Sequence, residues 1–115
     1  MNEKEKQEAM EACGYRKGFD WQTRFDLKSI VKYENEEYEI STVDLGLDHS
    51  FGGDTPLYYE TMIFLKGETL EERTRKENPF EYFQERYATE EKAKIRHYEI
   101  IEEFAKGEFN AHRGD

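Results

Sequence analysis

The chain has 115 residues, 15% of them aromatic and 36% hydrophobic. That is the length of one domain, too short for two cores and rich enough in rings to exclude global disorder. A net charge of −10 disfavours an ordinary nucleic-acid-binding surface, and no apolar run is long enough to span a bilayer.

The charge is uneven. Residues 1–33 hold six acids and seven bases, whereas residues 34–115 hold 21 acids and ten bases. Between Lys32 and Lys66 eight acids fall with no Lys or Arg. Such a stretch suits cations, a basic protein surface, or solubility. Cys13 is the single cysteine, so no intramolecular disulfide can form. With a charged N-terminus lacking an apolar signal core, this predicts a cytoplasmic protein. The closing Arg-Gly-Asp matches an integrin-binding triplet, which without a secretion signal reads as coincidence.

Along the chain, residues 2–12 are good helix formers, with Gly14 placed to cap the end. The apolar face of this helix is narrow, and residues 1–14 are expected to fray. "YRKGFDWQTRFDLK" follows, irregular and aromatic, with Tyr15, Phe19, Trp21 and Phe25 expected to pin it to the core. "SIVKY" and "EYEISTVDLGL" read as two strands around an acidic turn at Glu34–Glu36. Apolar alternation in the second strand changes face near Thr42, which predicts a bulge or a strand buried on both faces. A loop over Asp48–Pro56 leads to "LYYETMIFLK", a nearly continuous apolar run that suits the centre of a sheet.

Thr69 with Glu72 fits a capping box for a short helix from about Leu70 to Glu77, ended by Pro79. "FEYFQERY" then reads as a fourth strand. Thr89 is placed to cap a last helix that runs to Lys106 and stops at Gly107, with the stripe Ala93, His97, Ile100, Ile101 and Phe104. Residues 108–115 read as a tail. The predicted fold class is α+β: one antiparallel sheet of about four strands, the C-terminal helix packed across one face, and an N-terminal helix.

"STVDLGLDHSFGGDTPLYYETMIF" and "ERYATEEKAKIRHYE" give this chain a resemblance to a group of small uncharacterised phage and prophage proteins. Those carry a similar Gly-Leu-Asp-His loop before a Phe/Tyr-Glu-Thr-Met strand, then Arg-Tyr-Ser-Thr-Glu-Glu opening a helix that contains a His. The resemblance covers residues 41–64 and 85–99. The longer segment 67–79 and the first 35 residues depart from it. It implies a phage-type origin and a host-cell cytosol, and it implies no mechanism.

Three groupings bear on chemistry. Asp48, His49 and Asp54 could offer two oxygens and a nitrogen to Mg, Mn or Zn, with Glu60 or His97 completing the shell, but the spacing matches no established ligand motif. The simpler reading is a connecting loop in which Asp48 accepts backbone N–H bonds, Gly52 and Gly53 supply positive φ, and Pro56 starts the next strand. A phosphate cradle lacks its Lys or Arg. His97, on the apolar stripe, reads as a core-edge residue donating one hydrogen bond. The carboxylate pairs Glu37/Glu39, Glu71/Glu72 and Glu102/Glu103 read as solvated faces, since acid–base work needs burial to shift a pKa. A Cys13–His pair lacks any oxyanion signature.

The resulting expectation is a small acidic accessory protein that binds a host or phage protein, with Glu34, Glu36, Glu37, Glu39, Asp48, His49 and Asp54 as binding residues. Its partner would carry a basic surface, so that an inhibitor of a nucleic-acid-handling or defence protein is one form of this reading. No cofactor, membrane or direct nucleic-acid contact is expected. The alternative is a small-molecule binder or metal-dependent hydrolase built on the Asp48–His49 loop.

Overall fold

The computed structural model describes residues 2–48, 50, 53–66, 78–80 and 82–110. Helix α1 spans Glu3–Ala12, strands β1 to β4 span Asp26–Tyr33, Glu36–Asp44, Tyr59–Leu65 and Gln84–Tyr87, and helix α2 spans Glu90–Lys106. The strands form one sheet in the order β1-β2-β3-β4, with every neighbouring pair antiparallel. This is the expected α+β domain. The helix expected near 70–77 and the position of Gly52 lie outside the described residues.

Local chemistry accounts for the element ends. Asn2 caps α1 by accepting the Glu5 N–H at 2.8 Å, and Glu3 and Glu5 sit in its positive first turn. No residue of α1 is buried. Glu34 and Asn35, at φ 49° and 69°, make the two-residue turn between β1 and β2. Two consecutive left-handed residues match the right-handed twist of the strands they join. Thr89 caps α2 by accepting the Lys92 N–H at 3.2 Å, and Gly107 ends it at φ 71°.

Side chains alternate along each strand, so one row faces α2. That row runs Val31 in β1, Tyr38 and Ile40 in β2, and Ile63 and Leu65 in β3, all buried. Ala93, His97, Ile100 and Phe104 of α2 are buried against it, and Ile101 is partly buried. Of the two outcomes expected near Thr42, a bulge is absent and the strand is instead buried on both faces, with Ser41 buried and Val43 half-buried on the face opposite Thr42 and Asp44. The β1–β2 register is unbroken from Tyr33↔Glu36 to Asp26↔Val43, and the β2–β3 register from Tyr38↔Leu65 to Asp44↔Tyr59. Thr42 and Asp44 continue the helix-facing row as buried polar residues, because polar groups of α2 and Arg16 meet them there.

Two expectations about the second half change. "FEYFQERY" is strand only over Gln84–Tyr87. Asn78 Oδ1 accepts the Phe80 N–H at 2.8 Å, and the Phe83 N–H donates to the Phe80 carbonyl at 3.0 Å, making a turn. The turn lets Phe80 and Phe83 both enter the core; in a strand, residues three apart would face opposite ways. Phe109, placed by sequence in a tail, stacks on Phe104 with ring centres 4.5 Å apart.

The aromatic segment is pinned by Phe19 above all. Phe19 is buried between Tyr15 and Trp21, with centroids 5.3 and 5.2 Å away, while Trp21 stays 49% exposed. Phe19 lies over Gly46, whose φ is +73°. A Cβ on Gly46 would lie 2.7 Å from the Phe19 ring, closer than carbon atoms approach. Gly53, expected to need positive φ, does not adopt it, and its added Cβ would meet Ser50 no closer than 3.4 Å. Gly46→Ala should therefore lower the free energy of unfolding by about 1–3 kcal/mol in urea titrations, while Gly53→Ala should stay near wild type.

Candidate functional site

The chemistry-bearing side chains converge in one place, the seam between α2 and the sheet. His97 is fully buried there. Its Nε2 lies 2.8 Å from Ser29 Oγ in β1, and its Nδ1 lies 2.7 Å from Thr42 Oγ1 in β2. Thr42 Oγ1 is 2.6 Å from Thr61 Oγ1 in β3, Thr61 is 3.0 Å from the Tyr87 hydroxyl in β4, and Tyr87 is 3.1 Å from Glu85 Oε1. Arg96 of α2 holds Glu85 at 2.7 and 3.2 Å and Glu103 at 2.7 Å.

A carboxylate only accepts, so the Tyr87 hydroxyl donates to Glu85, and the same hydroxyl is directed at Thr61 Oγ1. Both ring nitrogens of His97 meet a hydroxyl, Ser29 on one side and Thr42 on the other, which makes two hydrogen bonds where the sequence suggested one. Burial pushes the His97 pKa down and the Tyr87 pKa up. For Arg96, burial opposes the charge, but the hydrogen bonds to Glu85 and Glu103 outweigh it and its pKa is raised. Glu103, read from sequence as solvated, is consumed in this ion pair. A cleft of about 600 Å³ opens beside the chain between β4 and α2, lined by Leu57, Glu85, Tyr87 and Glu99. Its two arginines are already engaged, Arg96 as above and Arg86 by Glu60 at 2.9 Å. The arrangement welds helix to sheet.

The loop expected to carry a site is held by Asp48. Asp48 Oδ1 accepts the Ser50 and Leu57 N–H groups at 2.8 and 2.9 Å, and Oδ2 accepts the Ser50 hydroxyl at 3.0 Å. This is the structural reading of the loop. Asp54 is exposed, and His49 lies outside the described residues. Among the described residues no three His, Cys, Asp or Glu side chains group to hold a metal ion.

The acidic stretch is partly neutralised by elements far away in sequence. Asp44 pairs with Arg16 through both guanidinium nitrogens, one at 3.2 Å, and Glu60 pairs with Arg86. Asp44 raises the Arg16 pKa by its hydrogen bond. Glu37 reaches Lys66 at 3.7 Å. Glu34, Glu36 and Glu39 make no ion pair among the described residues. These three and Glu37 share one end of the β1–β2 hairpin, with Glu37 and Glu39 on the face away from α2 and Glu36 on the other.

That face away from α2 is the feature sequence reasoning missed. It carries Ile30, Glu39 and Phe64 abreast across β1 to β3, and Ser41 beside Met62 one step along. Among the described residues no helix covers it. Toward the β2–β3 loop it deepens into a groove of about 340 Å³ lined by Trp21, Lys28, Val43, Leu45, Met62 and Phe64. Arg24 lies over the Trp21 ring at 4.9 Å. The faint signal was the two-sided apolar run in "LYYETMIFLK", which only a strand with something to bury on each side requires.

Comparison with protein-family models, with curated proteins and with solved structures finds no match to this chain. The function must be argued from the surface itself.

Because His97 is neutral when buried, the unfolded chain takes up its proton first, near the ordinary histidine value of about 6.5. Below that pH the unfolded state binds more protons, so stability falls as pH drops, and it is fully present above it. Urea midpoints should fall between about pH 7.5 and 5.5, a window in which carboxylates stay ionised. His97→Gln should lower stability by about 1–3 kcal/mol and flatten that slope.

Proposed function

We propose that this domain is a phage-type accessory protein that acts by binding another protein, which docks on the open face of the sheet. The observation that carries this reading is the uncovered apolar groove around Trp21, Val43, Met62 and Phe64. The single long helix covers the opposite face. Apolar side chains clustered on an exposed, polar-rimmed face are characteristic of protein-interaction sites. Among the described residues, His97, Thr42, Thr61, Tyr87, Glu85 and Arg96 hold α2 to the sheet, and Asp48 closes its own loop.

The surroundings of the groove narrow the partner. Glu37 and Glu39 lie at the hairpin end of the face, with Glu34 in the turn and Glu36 at the same end on the α2 side, and Arg24 and Lys28 lie at the groove end. A partner with an apolar anchor for the groove and basic groups over the hairpin fits this polarity. A nucleic-acid-handling protein presents such a basic surface, and covering it would inhibit that protein. The acids would steer the encounter and set its salt dependence, while the groove would supply most of the affinity.

The test uses the domain as bait in lysate from infected and uninfected cells, followed by calorimetry with the purified captured protein. Met62→Glu and Trp21→Ala should each weaken binding at least tenfold, about 1.4 kcal/mol; Met62→Glu should leave the melting temperature unchanged, whereas Trp21→Ala, which uncovers Phe19, should lower it. Glu37→Lys with Glu39→Lys should weaken binding mainly at low salt. Unchanged affinity in Met62→Glu and Trp21→Ala would remove the groove from the interface.

A further inference from the structure

We infer that β1 pairs with β1 of a second copy of this chain, extending the sheet to eight strands across a two-fold axis. β1 is an edge strand of eight residues, twice the length of β4 at the other edge, with no proline or bulge. The Asp44 N–H donates to the Phe25 carbonyl at 3.0 Å, so by antiparallel alternation Leu27, Ser29, Val31 and Tyr33 bond to β2. The backbone groups of Asp26, Lys28, Ile30 and Lys32 therefore point away from the sheet. All four residues are exposed, Ile30 by 42%. An edge of this length with its donors and acceptors aligned is a template for a further strand.

The side chains choose the occupant and the register. When two copies of β1 run antiparallel about Ser29, Asp26 stands opposite Lys32 of the other copy, twice by symmetry. Lys28 stands opposite Ile30, and on the helix side Leu27 stands opposite Val31. Outward-pointing backbone groups meet in the Asp26–Lys32 and Lys28–Ile30 pairs, each formed twice, giving about eight new backbone hydrogen bonds. Slipping the register by two residues in either direction brings Lys28 against Lys28 or Lys28 against Lys32. Like charges directly opposite are destabilising, so the charges that bar the slipped pairings select this one.

The helices fit the same operation. His97 bonds to β1 and β2, so α2, which also reaches β4 through Arg96, crosses their seam at that residue. Strands lie about 4.8 Å apart, so a two-fold between the two β1 strands sets the α2 axes about 10 Å apart at that crossing, the distance of packed helices. Arg96 and Glu99 occupy the flank of α2 toward β4. At about 100° per residue, Lys94, Tyr98, Ile101 and Ala105 fall on the flank toward β1. Tyr98 is 50% exposed there and Ile101 is partly buried, which gives the two helices an apolar contact. The open faces of both copies then lie on the same side of one continuous sheet.

The test is charge exchange read by light scattering after size exclusion. Wild type should run at twice the 13.8 kDa chain mass. Asp26→Lys alone and Lys32→Asp alone should each weaken self-association by roughly tenfold or more, since each sets like charges opposite in both symmetric pairs. Mixing the two single variants should restore a dimer containing one of each. In that dimer the lysine introduced in one chain meets the aspartate introduced in the other, and the retained Asp26 and Lys32 meet across the second pair. Circular dichroism confirms that each variant is folded. Amide exchange at Asp26, Lys28, Ile30 and Lys32 should slow as protein concentration rises. A wild type that stays monomeric across the concentration series overturns the inference. So does a dimer indifferent to both exchanges, or a mixture of the variants that fails to associate.

Discussion

The stripe Ala93, His97, Ile100 and Phe104 on α2 meets the row Val31, Tyr38, Ile40, Ile63 and Leu65 on the sheet, and that contact organises the rest of the molecule. A four-stranded sheet has two faces, and the described part of this chain has one long helix to cover them. The face that receives α2 takes the core, with Phe80, Phe83 and Phe109 filling the space beyond the hairpin end of β2. α1 buries no residue and so cannot serve as a second cover. The opposite face is left to solvent, to the 15–25 segment at one corner, and to whatever binds there.

The same contact explains why a polar chain can lie so deep. His97 falls on the buried stripe of α2 by its spacing, and an imidazole there must satisfy two ring nitrogens. The sheet supplies a hydroxyl on each side, Ser29 from β1 and Thr42 from β2. Thr42 in turn needs Thr61, and the relay ends at Glu85, whose charge is matched by Arg96 on α2 itself. All four strands and the helix contribute a member. Such a network is costly when incomplete and rigid when satisfied, which ties the position of the helix to the register of every strand.

The division of labour between the two faces follows. One face spends its reactive groups internally. The other keeps apolar side chains, hairpin acids and a long strand edge within reach of other molecules. A protein-binding reading of the groove and self-pairing at β1 use different parts of that exposed surface. If both hold, two grooves face the same way on one sheet, and a partner with two binding elements would gain avidity from them.

The sequence by itself determined the order of elements, the two ends of α2, the α2 stripe and the β1–β2 turn, because each depends on neighbours within a few residues: Thr89 on Lys92, Gly107 on its own φ, Glu34 and Asn35 on each other. The loop role of Asp48 was also readable, since its hydrogen bonds close over nine residues or fewer. Beyond that reach the local pattern misled. The polar residues Thr42 and Asp44 looked like a change of face because their partners His97 and Arg16 lie 55 and 28 positions away. Glu60 looked like part of an unbroken acidic surface because Arg86 joins it only through the β3–β4 register. Gly46, not Gly53, needed to be glycine, because a ring 27 residues earlier in the chain folds onto it. Charge balance, burial and open surface are set by which strands become neighbours, and that is decided by the tertiary packing of α2 on the sheet rather than by any short window of the chain.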